Sequence, residues 1–337
     1  MLLSIIVPSY NMEKYLKKDL DTLVLPQDLM QKIEIIVVND GSTDRTSEIA
    51  HEFEAQHKGS VKVIDKANGH YGSCINAGLK AATGTYVKIL DADDSFDTGN
   101  FCTFLRELDR SERGGENIDL FFTDYSTVDE DGKLIQSYQY KLTPNSVICI
   151  DDSSAHVFDE IQHHGITYRR ALLVEHDYRQ AEGIPYTDQE WFTVPLLYVK
   201  RVKYIPLTLY KYLMGRDGQS MDKSVISKSA RIHLKLGERM VQSWLNAKNS
   251  PEPANINIVK ARLIIYYTYV YRMFLINYSC DESRQLLQKA DEALFKLSPE
   301  LYCELDRDKF NGMLPIRYVK LWRKNRESKI VKLLARL

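Results

Sequence analysis

Three carboxylates fall within four positions of this chain, at Asp91, Asp93 and Asp94. Acids this close repel one another unless a cation neutralises them. Hard oxygen ligands at that density suit Mg²⁺ or Mn²⁺. Other polar groups follow short apolar runs in the same way. Ser9-Tyr10-Asn11 follows 3–8, Asn39-Asp40 follows 33–38, and Asp65-Lys66 follows 61–64. Each group taken singly is equally a helix cap; taken together they outline one polar site.

The elements that must position these groups alternate along the first hundred residues. The runs 3–8, 33–38, 61–64 and 85–90 are rich in Ile, Val and Leu and read as strands buried on both faces. Helical stretches separate them, at 13–23, after Ser42 or Asp44, and at 72–82. That alternation predicts a parallel sheet covered by helices, in which ligands sit beyond the carboxyl ends of the strands. The polar groups stand at those ends. Further along, 118–123 and 146–150 read as strands and 169–176 as a helix. Another helix begins near Asp188 and is bent by Pro195, and 202–205 and 207–213 read as closing strands. From about Asp222 the pattern changes to long amphipathic helices. The expected division is 1–220 and 221–337.

Composition removes several classes. Lys and Arg number 45 against 46 Asp and Glu, a net charge of -1, so no global basic field exists to hold a nucleic-acid backbone. The five cysteines are scattered without a C-x-x-C pair, which argues for a reducing compartment and against a disulfide framework or zinc ribbon. Residues 1–8 lack the pattern of a signal peptide, and no apolar stretch reaches the ~18–20 residues of a membrane span. The chain reads as cytoplasmic. Pro8-Ser9-Tyr10-Asn11 stands where a dinucleotide-binding enzyme would carry G-x-G-x-x-G, and no G-x-G-T-R-L follows the first strand as in nucleotidyltransferases.

Four segments, in order, are Ser4-Ile5-Ile6-Val7-Pro8-Ser9-Tyr10-Asn11, Val37-Val38-Asn39-Asp40-Gly41-Ser42-Thr43-Asp44, Asn76-Ala77-Gly78 with Ala82-Thr83-Gly84, and Leu90-Asp91-Ala92-Asp93-Asp94. This series resembles glycosyltransferase family 2, inverting nucleotide-sugar-dependent enzymes of the GT-A fold. Tyr186-Thr187-Asp188-Gln189-Glu190-Trp191 is similar to the family's E-D-x-x-F segment, and Tyr210-Lys211-Tyr212 with Arg216 and Ser220 to its closing stretch. The resemblance implies an α/β, Rossmann-like and mostly parallel sheet with helices on both faces, followed by an α-helical C-terminal region. It implies that Ser9, Tyr10 and Asp40 bind the nucleobase and Asp91 the ribose or metal. Asp93 would be the principal ligand of Mn²⁺ or Mg²⁺, Asp188 the catalytic base, and Arg216 and Ser220 diphosphate contacts. Where the family often has Arg-Asn this chain has Ile75-Asn76, so Lys66 is the alternative donor contact. Thr187 replaces the acid before the base, which leaves Glu190 as rival to Asp188. At helical spacing the two point about 200° apart, so one of them faces the cleft.

The resemblance implies a metal-dependent hexosyl- or N-acetylhexosaminyltransferase. It would take a UDP-linked sugar to a saccharide or lipid-linked glycan in surface polysaccharide synthesis. The alternative is an inactive homologue that binds glycan or scaffolds other proteins. Segment 316–337 carries many Lys and Arg interleaved with apolar residues and Trp322. Such a cationic amphipathic helix either lies on the inner face of an anionic membrane or docks on its own domain. Self-association as a homo-oligomer stays open. His163-His164 offers one ring to the acceptor side, because adjacent side chains on a strand or helix diverge. The tyrosines at 266, 267, 269 and 271 read as a packed helix or a subunit contact.

Overall fold

The computed structural model describes residues 1–151, 153, 155–158, 161–216, 223–248, 253–276, 281–307 and 317–326. The chain divides into two compact units, Met1–Asp217 and Gly218–Leu337.

The strands of the first unit are β1 Leu3–Ser9, β2 Ile33–Asn39, β3 Val61–Asp65, β4 Tyr86–Ile89, β5 Ser95–Phe96, β6 Leu120–Val128, β7 Leu134–Tyr138, β8 Val147–Cys149, β9 Ile166–Arg169 and β10 Arg201–Leu213. They form one sheet in the order β3-β2-β1-β4-β9-β6-β10-β5, with β7 on β6 and β8 on β10. β3, β2, β1 and β4 are mutually parallel. Every residue of β1 and β4 is buried, as expected for strands covered on both faces. Beyond β4 the sheet is mixed. β9 runs antiparallel to both β4 and β6, and β10 runs parallel to β6. The carboxyl ends of β1, β2, β4 and β10 therefore share one edge, and β9 begins there.

The helix Thr98–Arg113 illustrates how sequence fixes a layer. Asp97 caps it by accepting the Asn100 N–H at 3.0 Å. Phe101, Phe104, Leu105 and Leu108, at helical spacing, are all fully buried. Burying one such side chain contributes about 1.5–3 kcal/mol.

Two expected elements differ. Residues 202–205 and 207–213 join as the single strand β10, whose register shifts between Ile205 and Tyr210 absorb the exposed Pro206. The helix at Asp188 is a single turn, Asp188–Trp191, and Pro195 opens a separate 3₁₀ turn, Val194–Leu197.

The second unit holds the helices Lys223–Ala247, Pro253–Ile276, Asp281–Leu297, Pro299–Leu305 and Tyr318–Lys324. Tyr266, Tyr267 and Tyr271 are buried, while Tyr269 is exposed. Among the described residues no helix is long and apolar enough to cross a membrane. Within segment 316–337 the helix ends at Lys324 and buries Tyr318, Val319 and Trp322, so Trp322 packs on Tyr271 rather than facing outward. The apolar face of that turn is spent on its own unit. Residues 316 and 327–337 lie outside the described residues.

Candidate active site

The helix His70–Ala81 is the spine of the site. Its Tyr71 hydroxyl donates to Asp91 Oδ1 at 2.8 Å, and Lys66 Nζ donates to its Ser73 hydroxyl at 2.8 Å. Asn76 exchanges hydrogen bonds with the backbone of Gln180 at 2.9 Å in both directions. Gly72 faces the same segment, where a Cβ would come within 2.0 Å of the Ala181 carbonyl oxygen. Only glycine permits that approach, and the approach delivers the chain that carries Asp188. His70 and Tyr186, at the entries to these two helices, have φ of 64° and 63°. Such backbone is costly for bulky residues and gathers at functional sites.

At the β4 end each carboxylate has its own environment. Asp91 follows Leu90; its second oxygen lies 3.2 Å from His163 Nε2, and its N–H donates to the Tyr210 hydroxyl at 3.2 Å. Burial opposes ionisation of Asp91, but the His163 and Tyr71 hydrogen bonds prevail and hold its carboxyl below the ordinary range. Asp93 is ion-paired with Arg216. Burial and the charge of Asp91 push Asp93 upward against that pairing. Asp94 is enclosed; it accepts from the Tyr210 hydroxyl and the Leu213 N–H, both at 2.7 Å, and burial drives its carboxyl well up. Asp94 is therefore a structural acid that ties β4 to β10. The three acids do not converge on one point.

Asp188 and Glu190 separate as helical spacing requires. Glu190 is 1% exposed and accepts the Ala181 N–H at 2.6 Å. Its carboxylate holds the segment over Gly72. Asp188 instead shares the electrostatic neighbourhood of His163, Asp91 and Tyr71. Backbone N–H groups at the helix start favour the ionised form of its carboxyl. Burial outweighs those groups and the nearby His163, so the carboxyl is pushed up. A raised carboxylate is the stronger proton acceptor.

At the ends of β1 and β2, Asp40 Oδ1 accepts from Lys66 Nζ at 2.7 Å and from the Gly69 N–H at 3.0 Å. Lys66 is thus bound to the Asp40 carboxylate. The Ser9 hydroxyl turns inward to the Val7 carbonyl at 3.2 Å, while its own carbonyl takes the Asp40 N–H at 2.9 Å. Ser9 shapes this end through backbone, and the Tyr10 ring stands 46% exposed beside it. Ser220 lies outside the described residues.

Among the described residues no group of three or more His, Cys, Asp or Glu side chains could hold a metal ion by itself. The donor set nonetheless suits a hard cation of the Mg²⁺ kind, which is commonly held by one or two carboxylates plus substrate phosphates. Asp93 already carries a cationic partner, Arg216.

Sequence reasoning missed Tyr71 and Lys88, gave Tyr210 a place in a motif but not its contacts to Asp91 and Asp94, and expected the rings of His163 and His164 to diverge. His163 and His164 lie in the turn His163–Gly165, where their rings lie against each other, tilted by 39° with centroids 3.8 Å apart, instead of diverging. The clue available was position: a histidine pair just before a short β-branched run that returns to β4.

Comparison with known proteins fits this geometry. Residues 4–172 match the model of the family described as Glycosyl transferase family 2. The uncharacterized glycosyltransferase EpsJ of Bacillus subtilis is 40% identical over 111 residues, covering 33% of this chain and 31% of that protein. The poly(ribitol-phosphate) beta-N-acetylglucosaminyltransferase TarS of Staphylococcus aureus is 25% identical over 228 residues, covering 67% of this chain and 38% of that protein. The chain thus spans about a third of the length of these two relatives. The crystal structure of S. aureus TarS 1–349 in complex with UDP-GlcNAc superposes with a TM-score of 0.74 at 19% identity, over 100% of this chain and 91% of that one. The fold is of the GT-A kind with a helical C-terminal region. With a family match over half its length, the chain belongs to glycosyl transferase family 2.

Proposed function

We propose that the chain transfers a sugar from a nucleoside-diphosphate sugar, UDP-linked by preference, to a hydroxyl of a saccharide or lipid-linked glycan. The first unit is the catalytic domain in this reading, and the second serves a partner or the acceptor. The relatives support it: one TarS structure carries UDP-GlcNAc, and TarS itself is named for transfer to poly(ribitol phosphate). The observation that carries it is the division of labour at the sheet edge. Glu190 is committed to the Ala181 N–H, and Asp188 is left beside Asp91 and His163.

In this reading Asp40, Ser9 and Tyr10 receive the base, and Asp91 the ribose. Asp93 would hold Mn²⁺ or Mg²⁺, which when bound neutralises charge on the leaving diphosphate. Asp188 takes the proton of the acceptor hydroxyl as its oxygen bonds to the anomeric carbon. The bond from that carbon to the diphosphate breaks, and the nucleoside diphosphate leaves with the electron pair. Attack opposite the leaving group inverts the anomeric centre. Arg216, released from Asp93, neutralises the departing phosphates.

Slow hydrolysis of the donor tests the reading without knowledge of the acceptor. Purified protein with Mn²⁺ is expected to release UDP from at least one member of a UDP-sugar panel. Release from none, under conditions where UDP binds, would favour an inactive glycan-binding homologue.

A further inference from the structure

Lys88 is an anomaly the transfer chemistry does not use. It sits on β4 three residues before Asp91, is 0% exposed, and among the described residues has no carboxylate within ion-pair reach. Among the described residues its Nζ donates only to backbone carbonyls, to His164 at 2.7 Å and to Ile166 at 3.1 Å. The rings of Phe96 and Tyr210 lie 5.8 Å and 5.7 Å away. Burial without a counter-ion pushes its ammonium down to about 7. A methionine of similar volume would avoid that cost, so packing alone does not explain the lysine.

The two carbonyls belong to the turn His163–Gly165 and the first residue of β9. That turn is also clamped from β6, since a Cβ on Gly165 would meet the Thr123 carbonyl oxygen at 2.7 Å. His164 is buried among Tyr125, Tyr210 and Tyr212, at ring distances of 5.0, 4.8 and 4.7 Å. Among the described residues neither of its ring nitrogens has a hydrogen-bond partner. Its ring packs directly against that of His163, tilted by 39°. What the turn presents outward is His163 Nε2, at 3.2 Å from Asp91.

We propose that Lys88 and His163 are positioning residues for the donor: Lys88 fixes the turn, and His163 fixes the Asp91 carboxylate in the orientation that receives the nucleotide ribose. This rests on the reading above, in which Asp91 meets the donor. Outer hydrogen bonds to a binding carboxylate of this kind are commonly worth ~10–100-fold in affinity or activity. His163 reaches Asp91 across the junction of β4 with an antiparallel strand. Its effect is therefore on where Asp91 points, with Tyr71 supplying the other constraint.

The test titrates UDP with Mg²⁺ into the full chain by calorimetry and follows donor hydrolysis and thermal stability in parallel. His163→Leu, which removes the donor, is expected to weaken UDP about tenfold and to raise the donor KM, with little change in melting temperature. His163→Gln, which keeps an N–H donor, is expected to recover most of that loss. Lys88→Met is expected to act in the same direction. The double variant His163→Leu/Lys88→Met should be no worse than the weaker-binding single variant, because both act through one turn. If Lys88→Met fails to fold, the two His163 variants decide alone. UDP affinity in His163→Leu equal to the parent protein overturns the inference. So does an equal loss in Leu and Gln variants accompanied by a lowered melting temperature. If the parent protein binds no nucleotide at all, the transferase reading falls and takes this inference with it; binding by the parent with an indifferent His163 sinks the inference alone.

Discussion

Two buried polar clusters, one in each unit, have opposite logic. In the second unit Arg323 donates to Asp291 at 2.7 Å, Asp306 at 2.8 Å and the Tyr302 carbonyl at 2.7 Å, with the Tyr271 hydroxyl at 3.1 Å. Tyr271 in turn donates to Asp291. The buried Asp291 carboxylate there is matched by the Arg323 cation and also accepts from the Tyr271 and Tyr302 hydroxyls, while Asp306 is partly exposed to water, which is how a buried ion pair becomes tolerable. In the first unit Asp91, Asp93, Asp94 and Asp188 crowd around His163 and Arg216. Asp93, Asp94 and Asp188 are pushed up while Asp91 is held down. A cluster whose buried carboxylate is paired and hydrogen-bonded within the fold builds structure. A cluster whose members are driven apart in proton affinity is prepared to exchange protons and cations with a ligand.

The comparison breaks most visibly at Asp188. Asp188→Asn is expected to lower transfer or donor hydrolysis by ~10²–10⁴-fold while UDP affinity stays within a factor of a few, checked by kinetics beside calorimetry. Glu190→Leu should do the reverse: it strands the buried Ala181 N–H and lowers stability by about 1–3 kcal/mol. Larger loss of turnover in Glu190→Gln than in Asp188→Asn would reassign the base.

The second unit answers differently. Arg323→Met leaves Asp291 buried without its cation and is expected to cost roughly 3–5 kcal/mol in denaturant unfolding. UDP affinity measured below the unfolding transition should not change. Asp93→Ala has the complementary profile. It should fold normally yet lose the metal-dependent part of the stabilisation by UDP, which for a ligand at a hundred times its Kd is about 2.7 kcal/mol. Retention of full Mn²⁺-dependent UDP binding would remove Asp93 as a ligand.

An exposed charge pair marks the small end of the scale. His51 bridges Asp65 at 2.7 Å and Glu54 at 3.0 Å, and these hydrogen bonds raise its proton affinity. Its folded value exceeds the unfolded one, so its contribution is present below about pH 6.5 and is lost as pH rises through the folded value. The ring is nearly half exposed, so the loss should be under about 1 kcal/mol and shrink with salt. Flattening of the stability–pH curve above neutrality in His51→Gln checks it.

How much of this was legible in the sequence depends on separation along the chain. The parallel strands β1, β2 and β4 were readable because strands buried on both faces are continuous apolar runs; β3, expected to be buried likewise, lies at the sheet edge with Lys62 exposed and only Val61 buried. The acids at their ends followed from the rule that ligands bind at strand termini. Asp188 and Glu190 were separable by helical geometry alone, and the structure resolves which one is tied to backbone. The short or exposed strands β5, β7 and β9 gave no such signal. β7 is almost wholly exposed, and β9 has four residues beside a helix. The partners missed at the site are those that β9 and β10 deliver. His163 meets Asp91 across 72 positions, and Tyr210 meets Asp94 across 116. No local pattern encodes contacts set by an antiparallel strand inserted between parallel ones. The basic segment after Arg317 was readable as amphipathic, but only the packing of Trp322 on Tyr271 shows which surface its first turn covers.

The central claim is that the edge bearing Asp40, Asp91 and Asp93 is a nucleoside-diphosphate site completed by a divalent cation. Thermal shift of the full chain with UDP, alone and with Mn²⁺, addresses it directly. The account predicts a rise in melting temperature with UDP and Mn²⁺ together, a smaller rise with UDP alone, and loss of the difference in Asp93→Ala. No shift with UDP, or with any other nucleoside diphosphate, in the presence of Mn²⁺ would contradict it.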